Sequence, residues 1–152
     1  MSAPSPHYRI GEAAKHSGVS VANIRYYEKQ GLLPAAGRGD NSYRSYGEAD
    51  LHRLRFIRMC RAMDMSLGEV QTLLSLDLAR EDDCAAARAT LDGHLGHVRE
   101  RLAELRSLER DLKLLRARCD GHDAGHCGII EALHQMAEQP DVRTPRASTS
   151  HV

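Results

Sequence analysis

The chain has no tryptophan, one phenylalanine and an aromatic content of 4%. A core so poor in rings is expected to come from helices packed through aliphatic side chains. Long hydrophobic runs are missing too: none approaches the ~18 residues that a membrane span needs, so no membrane partner is expected. Met1–His7 carries neither a charged leader nor an apolar stretch, which argues against a secretory signal. The four cysteines, Cys60, Cys84, Cys119 and Cys127, are widely scattered. That spacing fits a reduced, cytoplasmic setting better than a disulfide framework. Net charge is absent as well, with 21 Lys+Arg against 21 Asp+Glu. The balance hides an asymmetry. Residues 1–64 carry 10 basic and 6 acidic side chains, and residues 65–152 carry 11 and 15. The basic front half is therefore a candidate for a polyanionic partner. A length of 152 residues allows one ordinary domain or two small ones.

What is present reads as a mainly α protein. Ile10–His16 is helix-forming, Gly18 suits a tight turn, and Ser20 suits the N-cap of a second helix over Val21–Gln30, closed by Gly31. Two short helices joined by a glycine-bearing turn form a helix-turn-helix pattern. Residues 34–47 are rich in turn formers, and Ser42-Tyr43-Arg44-Ser45-Tyr46 alternates as a short β strand would, so this segment reads as a hairpin wing. A helix is predicted over Glu48–Met63. Ser66 and Glu69 have capping-box spacing ahead of another helix reaching Leu76.

Residues 83–118 carry Leu91, Leu95, Val98, Leu102, Leu105, Leu108, Leu112 and Leu115 at spacings of 4, 3, 4, 3, 3, 4 and 3. That is a heptad seam. A helix of this length spans roughly 50 Å, more than one small domain can cover. The seam therefore calls for a partner helix, most simply that of a second copy; packing within a single bundle is the alternative. A loop over 119–127 and a short helix over Gly128–Ala137 follow. The end of the chain, with two prolines and a Ser/Thr-rich stretch, reads as a disordered tail. The implied domains are 8–76 (winged helix-turn-helix and connecting helices), 83–118 (dimerisation helix), 119–137 (metal-binding loop and short helix) and 138–152 (tail).

Two groups of residues carry chemistry. Ser20, Asn23, Arg25, Tyr26 and Tyr27 on the second helix, with Arg38, Tyr43, Arg44 and Tyr46 in the wing, supply the polar and basic reach that a DNA reader needs. One of Tyr26 and Tyr27 is expected in the core, because consecutive residues cannot share a helix face. Cys119 and Cys127 flank a loop of seven residues and can approach one ion. Cys84 sits where a helix begins, a position that favours a thiolate. Three thiolates with one divalent cation suit soft ions. Cys84 and Cys119 stand 35 positions apart, too far along a continuous helix to share an ion within one chain. In an antiparallel helix pair, Cys84 of one copy meets Cys119 and Cys127 of the other, giving two equivalent sites. Cys60, among arginines on a helix, reads as a buried apolar residue. His94 and His97 share a helix face and read either as a second, weaker site with the tail or as solvated groups. His122 and His126 read either as a fourth ligand, which tetrahedral zinc would want, or as exposed loop residues.

These motifs carry a family resemblance. Ile10-Gly11-Glu12, Ile24-Arg25-Tyr26-Tyr27-Glu28 followed by Gly31-Leu32-Leu33-Pro34, Asn41-Ser42-Tyr43-Arg44-Ser45-Tyr46, Phe56-Ile57-Arg58, Cys60-Arg61 and Asp64-Met65 resemble the MerR family of metal-responsive transcription regulators. They are most similar to its cadmium/lead-responsive branch (CadR and PbrR types). The resemblance spans about residues 8–137. It implies a winged helix-turn-helix domain, a long antiparallel coiled-coil dimerisation helix and a C-terminal metal-binding loop. By residue match it implies Arg25, Tyr27, Arg38, Tyr43 and Arg44 as DNA contacts and Cys84, Cys119 and Cys127 as metal ligands. In the family's copper(I) sensors a serine stands at the position of Cys84, so a cysteine there implies a divalent ion. His94 and His97 resemble a histidine pair of the cadmium sensors. The Cys119–Cys127 interval is slightly longer than in cadmium sensors and shorter than in zinc, lead and mercury sensors. The effector therefore stays open among Cd, Pb, Zn and Hg.

The resemblance further implies a mechanism. A homodimer holds promoter DNA in a shape that RNA polymerase cannot use, and metal binding distorts that DNA into a usable one, turning on efflux or resistance genes. The alternatives are a zinc or mercury sensor of the same family, or a DNA-binding regulator that senses thiol or redox state. A thiol enzyme would need a cysteine beside an activating base in a cleft. None is suggested, and no enzymatic activity is expected.

Overall fold

The computed structural model describes residues 3–34, 43–119 and 125–140. Six helices follow one another: α1 (Ile10–Ser17), α2 (Val21–Lys29), α3 (Glu48–Ala62), α4 (Leu67–Leu74), α5 (Glu81–Arg116) and α6 (Gly128–Ala137). The chain divides into two compact units, the boundary falling between Gly96 and His97 inside α5. No described helix is long and apolar enough to cross a membrane.

The first unit is built by its turns. Gly18 ends α1 in the left-handed region, with φ of 73°. That conformation strains any residue with a Cβ, and a Cβ there would stand 2.5 Å from the Arg58 guanidinium, a flexible group that would have to move aside. Ser20 then caps α2, its hydroxyl accepting the Asn23 N–H at 3.2 Å. Ser66 and Glu69 form the reciprocal box that opens α4: the Glu69 N–H donates to Ser66 Oγ, and the Ser66 N–H donates to Glu69 Oε2. α1 packs on α2 and α3, and α3 packs on α4. Ala13, Ile24, Leu32, Leu51, Leu54, Ile57, Met65 and Val70 meet between them as one aliphatic core. Arg55 of α3 closes the end of α1 by donating to the His16 carbonyl oxygen at 2.9 Å.

Between α2 and α3, within the strand expected over Ser42–Tyr46, Arg44 and Tyr46 are both bridge residues, and Tyr46 forms an antiparallel bridge with Tyr8. Tyr46 exchanges both backbone hydrogen bonds with Tyr8, each at 2.8 Å. No strand longer than this bridge occurs among the described residues. The partner of Tyr46 comes from before α1, and Gly47 is the N-cap of α3. The remainder of the expected wing, 35–42, lies outside the described residues, as does the expected tail beyond residue 140.

α5 is one continuous helix. The apolar positions of its seam, Leu91 through Leu112, are each 43–55% exposed. α6 occupies the range its sequence predicts, with Cys127 at its N-cap.

Candidate nucleic-acid interface and metal centre

α2 presents a polar outer face and buries its inner one. Arg25 is exposed and Tyr26 is 46% exposed, whereas Tyr27 is buried at 7%. The expected division between the two tyrosines thus falls on Tyr27, whose ring joins the core. Asn23 is half-buried beside the cap, and Ser20 spends its hydroxyl as that cap. Tyr43 is exposed, with the Arg9 guanidinium 5.5 Å from its ring centroid. Arg44 and Arg25 face a common open cleft of about 1010 Å3, which Arg9, Lys15 and Lys29 also line. Two carboxylates, Glu12 and Glu28, stand among these five cations. The cleft therefore carries a positive surplus suited to phosphate.

Tyr46 corrects an expectation. It is 1% exposed and belongs to the core, forming part of the cleft's wall rather than an exposed contact. Its hydroxyl donates to Glu28 Oε1, and Arg44 Nη1 pairs with Glu28 Oε2. Burial pushes the Tyr46 phenol above its ordinary value, against the pull of Arg44 and Arg25. Arg38 lies outside the described residues. Sequence reasoning missed Glu28 and the cleft cations Arg9, Lys15 and Lys29. They fall on three segments, the residue before α1, α1 and α2, and only folding brings these together.

Three of the four cysteines are exposed and one is buried. Cys60 is packed inside the first unit, where burial pushes its thiol up. Cys84 is exposed in the first turn of α5, directly after Glu81, Asp82 and Asp83. In the second unit, Cys119 follows the end of α5 and Cys127 precedes α6, both exposed. The two segments close on each other. A Cβ built on Gly128 would stand 2.6 Å from the Arg118 carbonyl oxygen, so the residue next to Cys127 lies against the residue next to Cys119. Only glycine permits that approach, and the sequence offered no sign that Gly128 serves it. His126 is exposed, and His122 lies outside the described residues.

His94 is buried rather than solvated. Its Nε2 lies 2.8 Å from the Met63 carbonyl oxygen and its Nδ1 lies 3.1 Å from Glu69 Oε2. Both ring nitrogens thus have a polar neighbour within the first unit. His97 is exposed three positions further along α5.

Comparison with known proteins decides the class. Residues 8–77 match the family described as MerR HTH family regulatory protein, and residues 51–115 match that described as MerR, DNA binding. The chain is 41% identical over 133 residues to the HTH-type transcriptional regulator ZntR of Escherichia coli K12, covering 86% of this chain and 94% of that one. It is 40% identical over 130 residues to heavy metal-dependent transcription regulator 2 of Rhizobium meliloti, covering 86% and 88%. The chain belongs to the MerR family. Among solved structures it is similar to the transcription regulator PbrR691 of Ralstonia metallidurans CH34 in complex with lead(II), with 41% identity and a TM-score of 0.69. That likeness covers 83% of this chain and 98% of PbrR691. The MerR family consists of DNA-binding transcription regulators, not enzymes. Its helix-turn-helix corresponds to α1 and α2, and its long helix to α5.

Proposed function

We propose that this MerR-family chain is a transcription regulator that binds promoter DNA as a homodimer and responds to a divalent soft metal ion, cadmium or lead. The observation that carries this reading is the set of exposed thiols at the two ends of α5. Cys84 stands in its first turn, and Cys119 and Cys127 lie on two segments that close at Gly128. α5 is unbroken over its 36 residues, and such a helix spans roughly 50 Å, so one copy's two ends cannot share an ion. Antiparallel pairing of α5 with that of a second copy covers the leucine seam and brings Cys84 to the partner's Cys119 and Cys127. Three thiolates form a donor set that soft divalent ions favour. His126, beside Cys127, is the candidate fourth donor where zinc occupies the site. The lead(II) complex of PbrR691 supports the choice of ion.

The cleft holding Arg25 and Arg44 grips the duplex, and Tyr43 lines it. A ligand shifts such an equilibrium only by binding one arrangement of the dimer better than the other. The arrangement favoured here is the one that deforms the promoter for RNA polymerase.

Titration of the purified dimer with Cd, Pb, Zn and Hg, read through transcription from its promoter, tests this reading. Cadmium or lead is expected to induce at the lowest concentration. A flat response to all of the ions contradicts it, and a lower threshold for zinc or mercury reassigns the effector. Arg25→Ala is expected to weaken DNA binding about tenfold and to lower the salt slope by about one, with metal affinity unchanged. An unchanged DNA titration removes Arg25 from the interface.

A further inference from the structure

Among the cations of the cleft, Arg44 is the one tied to a buried acid. The Glu28 side chain is 5% exposed, and it holds two partners with its two oxygens: Arg44 Nη1 on Oε2 and the Tyr46 hydroxyl on Oε1. Tyr46 is fixed in turn by burial and by its backbone bridge to Tyr8. The chain of contacts therefore runs from the rigid core through a carboxylate to a guanidinium at the cleft. The Arg44 side chain remains 38% exposed. A guanidinium carries five N–H donors in a fixed fork, so the Glu28 contact leaves donors for a phosphate.

We infer that Glu28 is a positioning residue for DNA binding: its buried carboxylate, braced by Tyr46, holds Arg44 in the orientation that meets the DNA backbone. Glu28 touches no DNA itself. The inference rests on the reading of this cleft as the DNA face. It also makes a prediction of unusual sign. Glu28 is an anion in a cleft built for a polyanion, so simple electrostatics says that neutralising it strengthens DNA binding. Positioning says the opposite. A long arginine side chain released from its anchor must give up its rotamer freedom again on binding.

The test uses the full-length protein and a duplex that the parent enriches from a random-sequence pool. Glu28→Gln is expected to weaken binding about tenfold and Arg44→Ala about as much, while the double variant binds no worse than Arg44→Ala alone. The salt slope of Glu28→Gln is expected to fall by about one, the signature of one lost phosphate contact. Thermal melts establish which variants are folded. Should Glu28→Gln not fold, Tyr46→Phe removes only the bracing hydroxyl. It is expected to weaken binding about threefold when Arg44 is present and not at all in the Arg44→Ala background. Glu28→Gln binding as tightly as the parent, or more tightly, overturns the inference, and so does a loss that adds in full to that of Arg44→Ala. If the parent enriches no duplex, the reading of the cleft fails, an outcome separate from either of these.

Discussion

Replacing Cys84 by serine is expected to abolish the response to cadmium and lead while leaving the grip on DNA intact. The substitution is nearly isosteric, and Cys84 is exposed in the first turn of α5, where a serine does not disturb the helix. No core contact is lost. What disappears is one thiolate of three, and a hydroxyl is a poor donor to a soft ion. Loss of an outer-shell partner already costs about 10–100-fold in metal affinity, so loss of a direct ligand is expected to exceed about a hundredfold. Transcription should then stay at its basal level across the metal range that induces the parent. The DNA titration should superimpose on the parent's, because Arg25, Arg44 and Glu28 lie on other elements of the first unit. Induction equal to the parent's would remove Cys84 from the site.

The second large effect concerns the seam. Leu102→Glu combined with Leu105→Glu is expected to convert the dimer to monomer. Both leucines are about half exposed on α5, so covering what remains is worth about 1 kcal/mol per side chain. Two positions on each of two chains give about 4 kcal/mol, a factor of roughly a thousand in the dimer's Kd. The glutamates add the cost of taking charge out of water. Glutamate is nearly as good a helix former as leucine, so α5 is expected to persist, and the loss reports on association alone. Sedimentation equilibrium checks it. A parent that is monomeric, or a variant that stays dimeric, would refute the seam as the interface. DNA binding and metal uptake are expected to fall together in the monomer, since both are assigned to the pair.

Much of the local structure was legible because it is set by a few adjacent residues. Ser20 and the Ser66–Glu69 box mark helix starts through their side chains, Gly18 and Gly31 mark helix ends through their backbone conformation, and the helices begin and end at them within a residue or two. The range of α6 was legible for the same reason. What escaped depends on groups distant in sequence. Tyr46 sits in an alternating stretch that reads as an exposed strand, yet Glu28, 18 positions earlier, takes its hydroxyl into the core. The sequence leaves His94 between a second metal site and a solvated group; in the fold Met63, 31 positions away, engages its Nε2 and Glu69 its Nδ1. Gly128 looks like an ordinary helix start, and only the Arg118 carbonyl oxygen shows why it carries no side chain. The candidate metal ligands were legible as residue types at the two ends of a helix, and the leucine seam between them already pointed to a second copy as what would bring them together.

Mixing two crippled subunits tests that convergence directly. A Cys84→Ser chain keeps Cys119 and Cys127, and a chain with Cys119→Ser and Cys127→Ser keeps Cys84. Neither homodimer should take up cadmium or lead tightly. After unfolding and refolding together, each mixed dimer is expected to regain one of its two sites, with tight metal uptake and partial induction returning. A mixture that forms mixed dimers yet stays as inert as its parts would show that each pocket is built from a single chain.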